Sequence, residues 1–364
     1  MPLSPSLAER VAGAAAGAFI GDALGLGPHW YYDLDALRRD HGPWISGYTA
    51  PLPGRYHAGM RAGELSQTGL ITLELLRSLT ACNGYDQADY TRRIDENLLP
   101  RMDGTPNAGP GGYTNQGFRD VYAARVREGK GWHETGGYAD TTEAAERAAL
   151  IALRYALTPM QGALLARDNI MLTHVDPFVT ALSLSFDIVA AAIARGDALD
   201  GELGDKLYGM VEREELPFTH VILAEKAAKA AANGAAEPRA ATASLTAPDG
   251  LLLPSHIWRA AHDPGVRIEP AWKVSLVYGL PCSIICQLPA AYYLAARFED
   301  DFESAVLHAI NGGGQNMSRA MLTGILAGAR CGLSGIPARL LSGLADAEEV
   351  LDLAAQLGRQ AEAE

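Results

Sequence analysis

The sequence predicts an all-α fold, on three observations. Ala, Leu, Glu and Arg dominate its long segments, apolar residues recur in them at helical spacing, and alternating runs rich in Val, Ile and Thr are scarce. Helices are expected over 66–81, 141–157, 176–195, 220–233, 285–297 and 318–331. Clusters of Gly, Pro and Asn at 41–63, 101–117, 233–254 and 311–314 interrupt the pattern and read as connecting loops. The 233–254 stretch has the composition of a linker, yet related polar residues fall on both sides of it. One helical domain over 1–364, with loop-rich insertions at 41–63, 101–117 and 233–254, is therefore expected.

Bulk properties narrow the function. Hydrophobic residues make up 48% and charged residues 20% of the 364 positions, enough for a large core. The net charge of −13 works against a nucleic-acid partner, which needs clustered Lys and Arg. Cys82, Cys282, Cys286 and Cys331 lack the paired spacing of a zinc site and read as reduced, and Cys282 and Cys286, four apart, read as two buried core thiols. The N-terminal stretch lacks the pattern of an export signal, and no run of about 18 uncharged apolar residues suggests a membrane span. A cytoplasmic location with no membrane partner is expected.

Taken in chain order, five segments carry polar groups out of place. In the first, Gly13, Gly17 and Gly21 are four apart and give a smooth helix face for close approach, and Asp22 then interrupts an apolar stretch. Asp22 is either a cap or a catalytic carboxylate. His29, Trp30, Tyr31 and Tyr32 follow, suited to stacking on a base or sugar or to packing as a lid. In the second, Tyr56 and His57 precede Glu64, Ser66, Gln67 and Thr68 at a helix start that can hold an anion. Glu64 can act there as general base or complement the helix dipole.

The third comprises Tyr113 and Asn115 in a Gly-rich loop, with Asp140 and Thr141 ahead of the next helix; solvated turns and caps are the alternative. In the fourth, His174 and Asp176 are two apart before Pro177, so they can converge on one ligand, while Asp176 also fits a helix cap. In the fifth, Gly312, Gly313 and Gly314 allow close backbone approach, and Gln315, Asn316, Ser318 and Arg319 then supply groups suited to phosphate or ribose.

In this order the segments resemble the ADP-ribosylglycohydrolase family, and more particularly its branch containing the J-type lens crystallins. The resemblance spans residues 10 to about 337 and rests on the glycine ladder into Asp22-Ala23-Leu24-Gly25, on Pro28 to Tyr32, on Thr173-His174, and on Asn311 to Gly314. It implies a compact orthogonal helical bundle and a hydrolase that uses two magnesium ions to cleave ADP-ribose from a side chain or small leaving group. The family's metal motifs, Thr-Asp-Asp-Thr and Asp-x-Asp-Thr, correspond to Leu65-Ser66-Gln67-Thr68 and Gln315-Asn316-Met317-Ser318, so four carboxylates are replaced by neutral groups. Magnesium relies on carboxylate charge, so the resemblance without the usual ligands leaves magnesium open and implies an altered or metal-independent site in which Asp22, Glu64 or Asp176 serves a small ribosyl or nucleotide ligand. The alternative is a non-catalytic, crystallin-like binding or structural protein.

Overall fold

Ser6 opens the chain's first helix, its hydroxyl accepting from Glu9 N, and α1 (Leu7–Leu26) is buried on every side from Val11 onward. The computed structural model describes residues 4–219, 232, 245–246 and 248–364. After α1 come α2 (Leu34–His41), α3 (Gln67–Ala81), α4 (Gln87–Asn97), α5 (Gln116–Tyr122), α6 (Glu143–Arg154), α7 (Pro159–Ile170), α8 (Pro177–Ala194) and α9 (Leu203–Glu212). The series continues with α10 (Leu253–His262), α11 (Val274–Tyr278), α12 (Ile284–Arg297), α13 (Phe302–Asn311), α14 (Asn316–Cys331), α15 (Ala338–Leu341) and α16 (Ala347–Glu362). Strand structure among the described residues is one short parallel pair, β1 (Phe218–Thr219) on β2 (Leu245–Thr246).

The fold is all-α, as the periodicity predicted. Five expected helices form as α3, α6, α8, α12 and α14. The helix expected over 220–233 lies, apart from Ala232, outside the described residues, as does most of 233–254. Side-chain caps set several starts: Ser66 accepts from Gly69 N at α3, and Asp176 accepts from Phe178 N and Val179 N at α8.

The glycine ladder of α1 sets the closest helix contact. A Cβ on Gly13, Gly17 or Gly21 would lie 2.4, 2.0 or 2.2 Å from the carbonyl oxygen of Gly328, Gly324 or Ala320 on antiparallel α14. Only hydrogen fits there, so the two backbones touch. Around this pair α1 also packs on α3, α6, α8, α13 and α16, and one apolar core runs from Val11 to Ala361.

α8, whose apolar run is broken by Asp187, is long and apolar enough to cross a membrane by length and composition alone, and 83% of it is buried inside the protein. One expectation needs correction: Cys282 and Cys286 are half-buried rather than core thiols, because both lie at the start of α12 rather than at a core position, while Cys331 is half-buried and Cys82 exposed.

Candidate active site

The close approach of α1 and α14 brings Asp22 and the Gly-rich turn to one place. Gly313 and Gly314 take positive φ, +67° and +60°, and pair in antiparallel fashion with the segment after α1: Gly314 N donates to Tyr31 O (2.8 Å) and Trp30 N to Gly314 O (3.1 Å). A cavity of about 70 Å³ opens beside this bridge. Its walls come from His29 and Trp30, from His57, from Ser66 and Thr68 at the start of α3, and from Tyr113 and Asn115. Gln116, Thr141, Glu143, Cys282, Gln315 and Met317 complete it.

Carboxylates gather on and beneath the floor. Asp22 is fully buried and accepts from Ser66 N (2.7 Å) and Ser66 Oγ (2.5 Å); burial pushes its pKa up to about 7 against those bonds. Glu143 and Glu146 share one face of α6, one turn apart. Burial and then the charges of Glu143 and Asp22 push Glu146 up to about 8, while bonds from Thr142 and Ser318 oppose the shift. Glu143, raised by burial, lines the cavity and accepts from Thr141 Oγ1.

A second file of hydrogen bonds points at Glu143. Arg147 Nη2 donates to Thr173 Oγ1 (3.1 Å), which lies 2.8 Å from His174 Nδ1, and His174 Nε2 lies 3.1 Å from Thr141 Oγ1. With Thr173 donating to Nδ1, His174 is the Nε2–H tautomer, and every donor in the file leads toward the carboxylate. Burial and the Arg147 charge pull His174 down to about 3, so it stays neutral.

Above the carboxylates, His57 Nδ1 meets Gly111 O (2.9 Å), His57 Nε2 meets His29 Nδ1 (2.6 Å), and His29 Nε2 meets Gln315 Oε1 (2.8 Å). Aromatic rings form the rim. Trp30 stacks on His29 at 4.5 Å and stands edge-on to Tyr56 (4.6 Å) and Tyr113 (4.5 Å). Trp30 takes φ +58°, unusual for a bulky residue, and its buried Nε1 has no partner; neither has Asn115 Nδ2.

Other sequence candidates serve structure. Glu64 sits in a surface ion pair with Arg61, three residues earlier, at 2.8 Å, and Asp176 caps α8. Tyr31 turns its hydroxyl to Asp40 (2.7 Å), and Asp140 is exposed, its carbonyl accepting from Ile284 N. Gln67 donates to Thr114 Oγ1 (2.8 Å), and Asn316 Nδ2 to Ile310 O (3.3 Å). Arg319 is fully buried and donates to Ala309 O, Gly313 O and Gln287 Oε1, which ties down the Gly-rich turn.

Sequence reasoning missed Glu143, Glu146 and Arg147. Acidic residues in a first helical turn usually complement the helix dipole, so they attract no notice. The available signal was Glu143-x-x-Glu146-Arg147 inside an otherwise Ala- and Leu-rich helix. Among the described residues no three His, Cys, Asp or Glu side chains are arranged to hold a metal ion.

The sequence profile of ADP-ribosylglycohydrolases matches residues 3–364. The chain belongs to that family. Among solved structures, one titled "ADP-ribosylglycohydrolase-related protein complex" is similar at 20% identity and a TM-score of 0.60, covering 98% of this chain and 99% of that one. No curated protein matches the chain. At that identity the structural likeness speaks for the ADP-ribosylglycohydrolase fold.

Proposed function

We propose that this ADP-ribosylglycohydrolase relative hydrolyses the N-glycosidic bond of a small ribosyl compound, using buried carboxylates where the family uses magnesium. The observation that carries the reading is the Glu143–Glu146 pair, with Glu143 at the cavity wall and the pair buried against Asp22. Cleaving a C–N glycosidic bond builds positive charge on the sugar ring, and an ionised carboxylate facing that ring stabilises it and takes a proton from the attacking water. Glu143 is placed for this role by the donor file from Arg147, which favours its charged form. Room for about five waters admits one sugar ring rather than a dinucleotide. The rest of the ligand would lie on Trp30, Tyr56 and Tyr113.

The donor set does not fit a magnesium pair. Both Asp22 oxygens are taken by Ser66, the Gln315 amide spans His29 and Ser318, and Met317 offers a thioether. A hard dication prefers carboxylate and water oxygens and dehydrates reluctantly. No step here runs through a metal.

Turnover of a panel of N-ribosyl compounds, measured with magnesium and with chelator, tests the reading. Hydrolysis that persists in chelator and falls by about 10²-fold or more in Glu143→Gln is expected. No turnover on any member, or turnover indifferent to Glu143→Gln, would overturn it and leave a binding role.

A further inference from the structure

Hydrolysis of an ordinary riboside sets two proton tasks. A base takes a proton from the attacking water, an acid gives one to the departing nitrogen, and a pair of carboxyl groups commonly divides the work. The cavity supplies one carboxyl. Among the described residues its walls hold Glu143 as their single carboxyl group, and no lysine or arginine. Asp22 lies beneath with both oxygens taken by Ser66, and Glu146, which burial keeps protonated near neutral pH, is not part of the wall.

The other polar groups of the wall are already engaged. His57 meets Gly111 O and His29, and His29 meets Gln315 in turn, so each nitrogen of the two rings has a protein partner. Burial also pulls both rings down, His57 to about 4, which leaves them uncharged near neutrality. Ser66 is turned to Asp22 and Thr141 to Glu143. Burial holds the Cys282 thiol up at about 11, and the Tyr113 hydroxyl accepts from Arg119 (3.2 Å). A riboside that needs both tasks is served badly, because a missing general acid costs about 10²–10⁴ in rate.

A riboside whose nitrogen already carries a positive charge needs only the base. We infer that the preferred substrate is a quaternary N-riboside, a ribose joined to a cationic aromatic nitrogen of the pyridinium type, and that neutral nucleosides and guanidinium-linked ribose are poor substrates. This rests on the hydrolase reading. The C1′–N bond breaks with its electron pair going to the ring nitrogen, the water oxygen bonds to C1′, and Glu143 takes the water's proton. Cation and water thus give ribose, an uncharged aromatic base and one proton. A guanidinium, by contrast, departs as a strong base and needs an acid.

Charge points the same way. A cation is favoured beside a wall that carries Glu143 and no lysine or arginine, and Trp30 and Tyr56 offer ring faces for it to lie on. The nearby guanidinium groups stand outside the wall, Arg119 over Tyr113 (5.7 Å) and Arg55 over Tyr31 (3.6 Å). Glu143 itself faces Arg147, Asp140, Glu146, His174 and Cys282.

Steady-state hydrolysis of nicotinamide riboside, adenosine and ribosylarginine by the full chain, with chelator present, tests the class. Nicotinamide riboside is expected to exceed the other two in kcat/KM by about 10²-fold or more. Its kcat/KM should rise with pH to a plateau as Glu143 ionises, with no falling limb, since no acid has to stay protonated. Turnover of adenosine within about tenfold of nicotinamide riboside, or a bell-shaped profile, overturns the inference and leaves the hydrolase reading standing. Calorimetric titration with two uncleavable probes separates the ideas further: the carbocyclic analogue of nicotinamide riboside keeps the cation, and benzamide riboside, linked through carbon, is neutral. The cation should bind about tenfold tighter, and Glu143→Gln should narrow the gap. Tighter binding of the cation with no turnover of any compound would sink only the hydrolase reading, whereas equal affinities would sink the cationic class.

Discussion

At the scale of single residues, Asp22 shows how burial turns an ordinary side chain into a pH-sensitive one. It holds its proton in the fold up to about pH 7, whereas the free side chain releases it at 3.8. Between those values the native state binds the extra proton, so stability falls as pH rises and levels off above about 7. Asp22→Asn keeps an acceptor for Ser66 and removes the titration. Denaturant unfolding at pH 5, 6 and 7 should show a fall in the native protein that is shallower in the variant by up to ~1.4 kcal/mol per pH unit. Equal slopes would show that Asp22 is ionised throughout. The same residue was visible in the sequence because one carboxylate breaks an apolar run; Glu143 and Glu146 were not, because first-turn acids are common in helices of every kind. For Asp176 the capping reading, already legible in Asp176-Pro177, is the one the structure bears out, whereas the Arg61 partner of Glu64 does not show in a motif.

Among elements, the contact of α1 with α14 holds the site together. Gly17→Ala puts a methyl 2.0 Å from Gly324 O, a backbone atom that cannot swing aside. A loss of about 1–3 kcal/mol is expected in denaturant unfolding, as for other overpacked cores. Gly47→Ala, whose nearest foreign atom is 3.6 Å away, should stay within about 0.5 kcal/mol of the native protein. Equal midpoints for both would mean that the helices slide to absorb the methyl. Spacing by four made this face legible in advance, since 3.6 residues per turn places such positions in one stripe. The partner helix was not legible, because nothing local in 13–25 specifies Gly324 and Gly328.

For the whole molecule, Arg319 links three distant pieces. Its guanidinium donates to Ala309 at the end of α13, to Gly313 in the turn and to Gln287 on α12. Burial lowers its pKa only to about 9, so it remains a cation in neutral solution. Arg319→Met leaves those acceptors buried and unpaired, and a loss of about 3 kcal/mol or more in unfolding free energy is expected. Because the Gly313–Gly314 turn pairs with Tyr31, the loss should extend to the cavity and quench or shift Trp30 fluorescence before global unfolding. An unchanged Tm would show that water replaces the guanidinium.

Helical periodicity, capping residues and the glycine ladder are local properties of the chain, and so the all-α class, five helix positions and the neighbourhood of Asp22, His29, Ser66 and Gln315 could be read from the sequence alone. Which carboxylates meet, which histidines share a contact and which charges are suppressed depend on burial, and burial is set by segments hundreds of residues apart. Asp22 and Ser66 stand 44 positions apart, and His29 and Gln315 stand 286 apart. Only the packed bundle brings them within hydrogen-bond distance, and only the loss of water around them moves their protons.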